Sequence, residues 1–303
     1  MIDLVYIIQA HKNPHQLKRL IEKIDSENAF FYVHIDLKSD ITEFKSVIQK
    51  PNVFFIEERV DCIWGDFSQV AATLNLIEIV LKKHANGMCI FLSGQDYPIK
   101  PIDAITDFLS KNSDKNFIDI REIAKMWDKK ECKKRTRRYR YNFSNERGDF
   151  AILTPRMRFL KLVFKKKIPL SLFIKSFIPR QLDMKFYGGS NWWAFNFDTL
   201  NKIHRYIDDN KKKLYGHFIY THCADEIFFH TIIKHLIKND DTIVLDDTIT
   251  YVNWSRKNCP LPVTFNQDDY EELATQPEVK LFARKFDTDY DGVILDILDQ
   301  KII

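Results

Sequence analysis

The sequence predicts an α/β fold with a mostly parallel central sheet and helices on both faces. The first observation is the order of elements: a buried strand-like run at residues 2–8, a helix that begins at Pro14 behind Asn13, and a second strand-like run at residues 30–35. This order is typical of a right-handed βαβ unit. The second observation is size, because 303 residues with 45% apolar content can bury a sizeable core as one unit.

The later elements follow in the same alternation. Short apolar runs at 53–56, 88–92 and 116–120 predict three more strands, and Ser68 opens a long helix with one apolar face. Residues 121–186 are basic, with apolar and aromatic residues interleaved. Regular structure then resumes, with a strand over 192–195, helices from about Asp198 and Asp225, and strands near Ile243 and Thr250.

Composition excludes several classes of protein. A net charge of only +4 argues against a dedicated nucleic-acid binder. The five cysteines are widely spaced and form no CxxC pair, which argues against a zinc site and favours reduced thiols in a cytosolic protein. Neither a signal peptide nor a transmembrane run of about 18 apolar residues is expected.

Polar residues follow three of the predicted strands. They occupy 9–12 after the first strand, 34–36 at the end of the second, and 93–96 after the fourth. Ligands of open parallel sheets bind beyond the carboxyl ends of the strands, so these loops predict a nucleotide cleft. The alternative is that they are polar simply because they are surface loops.

Seven short strings sharpen this interpretation. They are AHKNP at 10–14, VHID at 33–36, WGDFSQV at 64–70, LSGQDYPIK at 92–100, GGSNWW at 188–193, ADE at 224–226 and FARKFD at 282–287. Each string is weak alone, but in this order they resemble the core-2/I-branching and peptide O-xylosyltransferase family. The resemblance spans about residues 2–298 and lapses in the basic middle.

The resemblance implies a glycosyltransferase-A type (Rossmann-like) fold, a UDP-sugar donor and inversion at the donor's anomeric carbon. By carry-over, the Ala10 backbone and Asp36 hold the uridine, Gln95 faces the donor, and Arg284 and Lys285 grip the diphosphate. Two cations can neutralise the charge that grows on departing UDP without a metal. The alternative for this pair is an ordinary solvated basic face.

The family motif places the general base at Glu226. An inverting transfer needs one carboxylate to take the proton of the attacking hydroxyl. We expect Asp225 to cap the following helix and the helix dipole to keep Glu226 ionised in its first turn. The alternative is that both are helix-start residues without chemistry.

Trp192 and Trp193 are candidate acceptor contacts, because aromatic rings stack on sugar rings. Side chains alternate along a strand, so we expect only one of the two rings at the site. Glu122 is a third candidate, with a looser match to the family.

Two acidic runs bear on metal binding. Residues 287–291 contain Asp-x-Asp twice but follow the predicted phosphate grip, and we interpret them as a helix start. Residues 246–247 are interpreted as a strand-end turn. We therefore expect no metal and no cofactor beyond the donor substrate.

Together these features predict a single glycosyltransferase catalytic domain over 1–303, with a nucleotide-binding half (1–120), a basic insertion (121–186) and an acceptor/catalytic half (187–303). The expected reaction moves N-acetylglucosamine or xylose to a glycan or lipid-linked glycan in bacterial surface-polysaccharide synthesis. The alternatives are a non-catalytic scaffold that binds a glycan or a partner, and a nucleotide-sugar hydrolase.

The basic segment at 125–180 is a candidate membrane-binding segment. Its mixture of charge and apolar residues is typical of segments that lie on anionic membranes. We expect a cytoplasmic protein that can dock peripherally on the inner face of the plasma membrane. The alternative is a solvated charged face over a helical subdomain.

Overall fold

The computed structural model describes residues 2–302, apart from the side chain of Met157. The strands are β1 Leu4–Ala10, β2 Ala29–Ile35, β3 Val53–Phe55, β4 Met88–Ser93, β5 Asp96–Pro98, β6 Lys115–Ile118, β7 Arg121–Glu122, β8 Tyr139–Asn142, β9 Phe150–Leu153, β10 Tyr187–Gly188, β11 Trp193–Asn196, β12 Val244–Asp246, β13 Thr250–Val252 and β14 Phe282–Arg284.

The α-helices connect these strands. They are α1 Pro14–Lys23, α2 Ile41–Val47, α3 Phe67–Lys83, α4 Ile102–Lys111, α5 Ile123–Met126, α6 Lys129–Arg137, α7 Met157–Phe164, α8 Leu170–Lys175, α9 Phe197–Asp209, α10 Lys211–Phe218, α11 Phe228–Leu236, α12 Tyr270–Ala274 and α13 Val293–Lys301. Within residues 2–302, no helix is both long and apolar enough to cross a bilayer.

The main sheet has seven strands in the order β12-β6-β11-β4-β1-β2-β3. β4, β1, β2 and β3 run parallel to one another, and β12 runs parallel to β6. β11 alone is antiparallel, inserted between β4 and β6. The predicted fold class, an α/β fold with a mostly parallel sheet, is confirmed, whereas the antiparallel central strand was not foreseen.

The two faces of the sheet carry separate cores. Along β1, Leu4, Tyr6 and Ile8 pack on one face with α1, α4 and α13, while Val5 and Ile7 pack on the other with α3, α9 and α11. Because side chains alternate along a strand, a strand buried on both sides must be apolar throughout. This explains the unbroken apolar run that predicted β1.

A second sheet, in the order β13-β14-β5, joins the end of the chain to the main sheet. β14 is antiparallel to β5, which follows β4 after two residues, and Arg284 lies opposite Asp96 in this register. The C-terminal strand therefore ends just beyond the carboxyl end of β4. The sequence did not predict this sheet, since β5 has only three residues and two of them are Asp and Pro.

Residues 121–186 add a small layer of their own. The antiparallel β8–β9 hairpin and the helices α7 and α8 enclose a separate apolar cluster. Its buried members are Tyr139, Leu153, Phe159, Ile168, Leu172 and Phe173. The predicted division of the chain at residues 120 and 186 remains a prediction.

Three helix starts differ from expectation. Asn13 has a left-handed backbone and makes no side-chain cap, because its amide donates to Asp287 and Thr288 instead. The long helix is capped by Asp66, whose carboxylate accepts from the backbone N–H of Ser68. The helix expected from Asp225 begins three residues later, at Phe228.

Candidate active site

The carboxyl ends of β1, β2 and β4 lie side by side, as their polar loops predicted. Ala10 ends β1, and its carbonyl accepts a 2.8 Å hydrogen bond from the backbone N–H of Asp36, just after β2. The Asp36 side chain is largely buried, and its Oδ1 accepts from the Lys38 backbone N–H at 2.9 Å. Gly94 lies against Ala10, where a Cβ would stand 3.0 Å from the alanine Cβ. This edge of the sheet therefore places the largely buried Asp36 carboxylate beside the backbone of Ala10 and Gly94.

Gln95 lies on the same edge and is tied to the C-terminal segment. Its carbonyl accepts from the backbone N–H of Phe286 at 2.8 Å, and its Nε2 lies 3.4 Å from Asp287 Oδ2. Asp287 is also bound by Lys12 Nζ at 2.6 Å. The first acid of the 287–291 run therefore locks the segment to the loop after β1.

Of the other acids in that run, Asp289 also pairs with Lys12, at 3.3 Å, and only Asp291 lies at the predicted helix start. Asp291 Oδ1 accepts from the backbone N–H groups of Val293 and Ile294, at the start of α13. Asp246 ends β12 and pairs with Lys115. Across residues 2–302, no group of three or more His, Cys, Asp or Glu side chains is arranged to hold a metal ion.

Arg284 is held between a ring and a carboxylate. Its guanidinium lies over the Trp192 ring, 3.9 Å from the centroid, and its Nη1 is 3.6 Å from the fully buried Asp96. Neither Nη1 nor Asp96 Oδ1 has a hydrogen-bond partner among the described residues. Burial lowers the pKa of Arg284, and the negative charges of Asp96 and Asp225 oppose that effect.

Lys285 supplies a second cation beside the first. Its backbone bonds to Val263 and Phe265, and its Nζ has no ion-pair or hydrogen-bond partner within residues 2–302. Burial lowers the pKa of Lys285, and the nearby positive charges of Arg284 and Arg147 lower it further. Two crowded cations without a full complement of anions favour binding of an anionic group such as a diphosphate.

Glu226 ends a 3₁₀ turn at Ala224–Glu226 instead of occupying the first turn of a helix. The turn follows Cys223, whose backbone is left-handed. The expectation that the helix dipole holds Glu226 is therefore wrong. Glu226 is held by Arg135 of α6, whose Nη1 lies 2.6 Å from Glu226 Oε2. Glu226 Oε1 receives no hydrogen bond from any described residue, so it is free to accept a proton.

Asp225 does not cap a helix either. Its Oδ1 is sealed from solvent and has no partner among the described residues. Burial, with the adjacent Glu226 carboxylate adding to it, raises the pKa of Asp225 to about 7. The raised pKa of this carboxyl separates it from its neighbour Glu226, which is ion-paired with Arg135.

A glycine pair brings the loop before β11 against Glu226. The backbone N–H of Gly189 donates to the Glu226 carbonyl at 3.0 Å. A Cβ on Gly188 would stand 2.9 Å from that carbonyl, and one on Gly189 would stand 1.8 Å from the Asp119 carbonyl. Only glycine permits this approach. The loop then leads directly to Trp192, so one segment links Glu226 to the ring under Arg284.

The candidate acceptor residues separate into three cases. Trp193 is 1% exposed and packs on Phe195 in the core, so its predicted acceptor contact is wrong. Trp192 is partly exposed with Arg284 over its ring, and its contact with the acceptor remains a prediction. Glu122 lies on β7 beside the glycine loop and pairs with Lys185 at 2.7 Å.

Sequence reasoning missed two partners of these groups. Arg135 comes from the basic insertion and had no local signal, because its partner Glu226 is far along the chain. Asp96 lay inside the string at 92–100, but its pairing required the unforeseen β5–β14 register. Trp64, in the string at 64–70, is 48% exposed, with Arg147 lying over its ring.

Comparison with known proteins identifies a family and several relatives. The sequence model of the Core-2/I-Branching enzyme family matches residues 4–276. The chain is 24% identical to Xylosyltransferase 2 of Homo sapiens over 98% of its length, which is 33% of that protein. It is 25% identical to a Xylosyltransferase of Ciona intestinalis over 99% of its length, or 34% of that protein. It is 24% identical to Xylosyltransferase oxt of Drosophila melanogaster, over 94% and 32%. The chain thus spans about a third of the length of these relatives.

Proposed function

Because this chain belongs to the Core-2/I-Branching enzyme family, we propose that it is a glycosyltransferase that moves a sugar from a UDP-sugar to a hydroxyl of a glycan or lipid-linked glycan. The observation that carries the proposal is the convergence at one sheet edge. The loop at 188–192 supports it, because the loop binds the Glu226 carbonyl through Gly189 and lies under Arg284 through Trp192. This loop links the cationic pair, Arg284 and Lys285, to Glu226, whose Oε1 receives no hydrogen bond from a described residue.

In the proposed reaction, the acceptor hydroxyl attacks the anomeric carbon and the bond to the β-phosphate oxygen breaks. Glu226 Oε1 takes the hydroxyl proton, while Arg135 holds Oε2 and fixes the orientation of the carboxylate. A single base acting on the face opposite the leaving group gives inversion. UDP departs with the electron pair of the broken bond.

The two cations stabilise the negative charge that develops on departing UDP. Arg284 is pre-positioned by Trp192 and Asp96, so little reorganisation is needed when the charge appears. Lys285 adds a positive charge without a protein partner. We propose that this pair replaces the metal ion that many nucleotide-sugar enzymes use, with Asp36 and the Ala10 backbone holding the uridine.

The donor is proposed to be UDP-xylose or UDP-N-acetylglucosamine, the first because the relatives are named xylosyltransferases. The proposed setting is synthesis of a bacterial surface polysaccharide. Hydrolysis is the less favoured reaction, because glycosidases act through two opposed acids, whereas the cations Arg284 and Lys285 suit a diphosphate leaving group.

A donor screen with and without acceptor tests the proposal. The protein is incubated with each UDP-sugar, alone and with a glycan mixture, and both UDP release and glycan mass are measured. We expect UDP release that depends on the glycan, together with a glycan mass gain of one sugar. Equal release without glycan would identify a hydrolase, and the absence of release with every donor would favour a binding scaffold.

A further inference from the structure

The helices α7 and α8 and the turn that follows them present a large apolar surface to solvent. We call the exposed side chains of residues 156–178 the insertion surface. Five of its apolar side chains are more than half exposed: Phe164, Leu170, Ile174, Phe177 and Ile178. Clusters of this kind are uncommon on soluble monomers and mark interaction sites.

These side chains are exposed although the helix already has a core. Leu172 and Phe173 of α8 are buried in the small cluster with Tyr139 and Phe159. Leu170, Ile174, Phe177 and Ile178 follow the spacing i, i+4, i+7, i+8, and the backbone bonds of Phe177 and Ile178 continue the helical turn past Ser176. The helix is therefore apolar on two sides, one packed and one facing outward.

The insertion surface is also strongly basic. Its exposed cations are Arg156, Arg158, Lys161, Lys165, Lys166, Lys167 and Lys175. No acidic residue occurs between Asp149 and Asp183, and none of the seven cations forms an ion pair with a described residue. With a net charge of only +4 for the whole chain, this segment concentrates the positive charge.

Unpaired cations around exposed apolar side chains match the chemistry of an anionic bilayer. The apolar side chains can enter the boundary between headgroups and acyl chains, while long lysine side chains keep their ammonium groups at the phosphates. An acidic protein surface would satisfy the charges, but only a bilayer also matches apolar residues interleaved with them along the whole segment. We propose that the insertion surface docks the protein peripherally on a membrane of anionic lipids.

The surface is rigidly joined to the site. Arg180, just past the turn, is buried, and its guanidinium donates to the carbonyls of Arg135, Arg138 and His217 and to the Thr221 hydroxyl. Arg135 is the residue that pairs with Glu226. Docking therefore fixes the orientation of the cleft relative to the bilayer, and the proposal does not depend on which reaction the cleft performs.

Vesicle flotation tests the proposal, using phosphatidylcholine alone and an equal mixture of phosphatidylcholine and phosphatidylglycerol. We expect binding to the anionic vesicles that weakens as salt rises. Phe177→Ser with Ile178→Ser should weaken binding by about tenfold or more, because two apolar side chains no longer leave water. Lys165→Glu, Lys166→Glu and Lys167→Glu together should weaken it by roughly a hundredfold.

A matched control separates the surface from net charge. A second exposed lysine triplet lies on α10, at Lys211, Lys212 and Lys213. Replacing it by Glu changes the net charge by the same amount, but should weaken vesicle binding by no more than about twofold. Thermal unfolding checks that each variant is folded, and we expect unchanged unfolding temperatures because the replaced side chains are exposed. Absence of binding to anionic vesicles at low salt, or equal losses from both triplets, would overturn the proposal.

Discussion

The two carboxylate oxygens of Glu226 have different surroundings. Oε2 is 2.6 Å from Arg135 Nη1, while Oε1 has no hydrogen-bond partner among the described residues. In Asp225, the adjacent acid, Oδ1 is closed to solvent, and burial together with the Glu226 charge raises the pKa. Neighbouring acids with such different environments can have different roles, one as a base and one as a structural carboxyl.

Replacing Glu226 by Gln removes the base and preserves the size of the side chain. We expect kcat to fall by roughly 10² to 10⁴ and the donor KM to change little. Glu131→Gln is the matched control, because Glu131 also binds Arg135, at 2.9 Å, and has no assigned part in the proton transfer. Steady-state kinetics measure both variants. Near-normal turnover in Glu226→Gln would remove this residue from the mechanism.

Asp225→Asn should change how stability depends on pH. The pKa of Asp225 is about 7 in the folded protein against an ordinary 3.8, so the folded state binds more protons between these values. The contribution of the Asp225 carboxyl to the free energy of unfolding is therefore fully present below about pH 4 and is lost as the pH rises toward 7. The variant cannot ionise, so its stability relative to the wild type should increase across this window.

Chemical unfolding at about pH 4.5 and about pH 8 measures that difference, with the exposed Asp209→Asn as the control. A difference between the wild type and Asp225→Asn that stays constant with pH would mean that this carboxyl ionises normally in the folded protein.

At the scale of elements, the loop at 188–192 determines how the site is assembled. It touches Glu226 through the Gly189 N–H and Arg284 through Trp192. The loop leads into β11, the antiparallel strand between β4 and β6. The strand direction thus delivers the loop to the edge where the parallel strands end.

Gly189→Ala should damage both the fold and the activity. The added Cβ would stand 1.8 Å from the Asp119 carbonyl, so the loop must move away from Glu226. We expect a loss of about 2 kcal/mol or more in the free energy of unfolding, with reduced turnover. Gly216→Ala is the control, since nothing lies within 4 Å of its Cβ and Ala favours the helix that contains it. Equal unfolding midpoints for the two variants would contradict the close approach.

The sequence predicted the positions of strands better than which strands pair and in which direction. Unbroken apolar runs identified β1, β2 and β4, because strands buried on both faces leave that pattern. The direction of β11 and the β5–β14 pairing were not predictable, since strand direction and pairing depend on contacts distant in sequence. For the same reason Glu226, Arg284 and Lys285 were found from their motifs, whereas Arg135 and Asp96 were not.

At the scale of the whole molecule, two independent features are joined in one body. The sheet edge holds the site, and the basic insertion contributes both Arg135 to that site and the proposed membrane surface. Arg180 connects the two by hydrogen bonds to the backbone of α6. The insertion therefore acts as part of the site and not only as an addition to its outside.

The central claim is that the cleft binds UDP through protein cations, and calorimetric titration of UDP in EDTA tests it most directly. We predict binding in EDTA that manganese does not strengthen. Lys285→Met should weaken it by roughly tenfold or more through loss of a charged contact. Lys238→Met should not change it, because Lys238 is exposed and forms no ion pair within residues 2–302. Binding of UDP only with manganese, or equal affinity in both variants, would contradict the account.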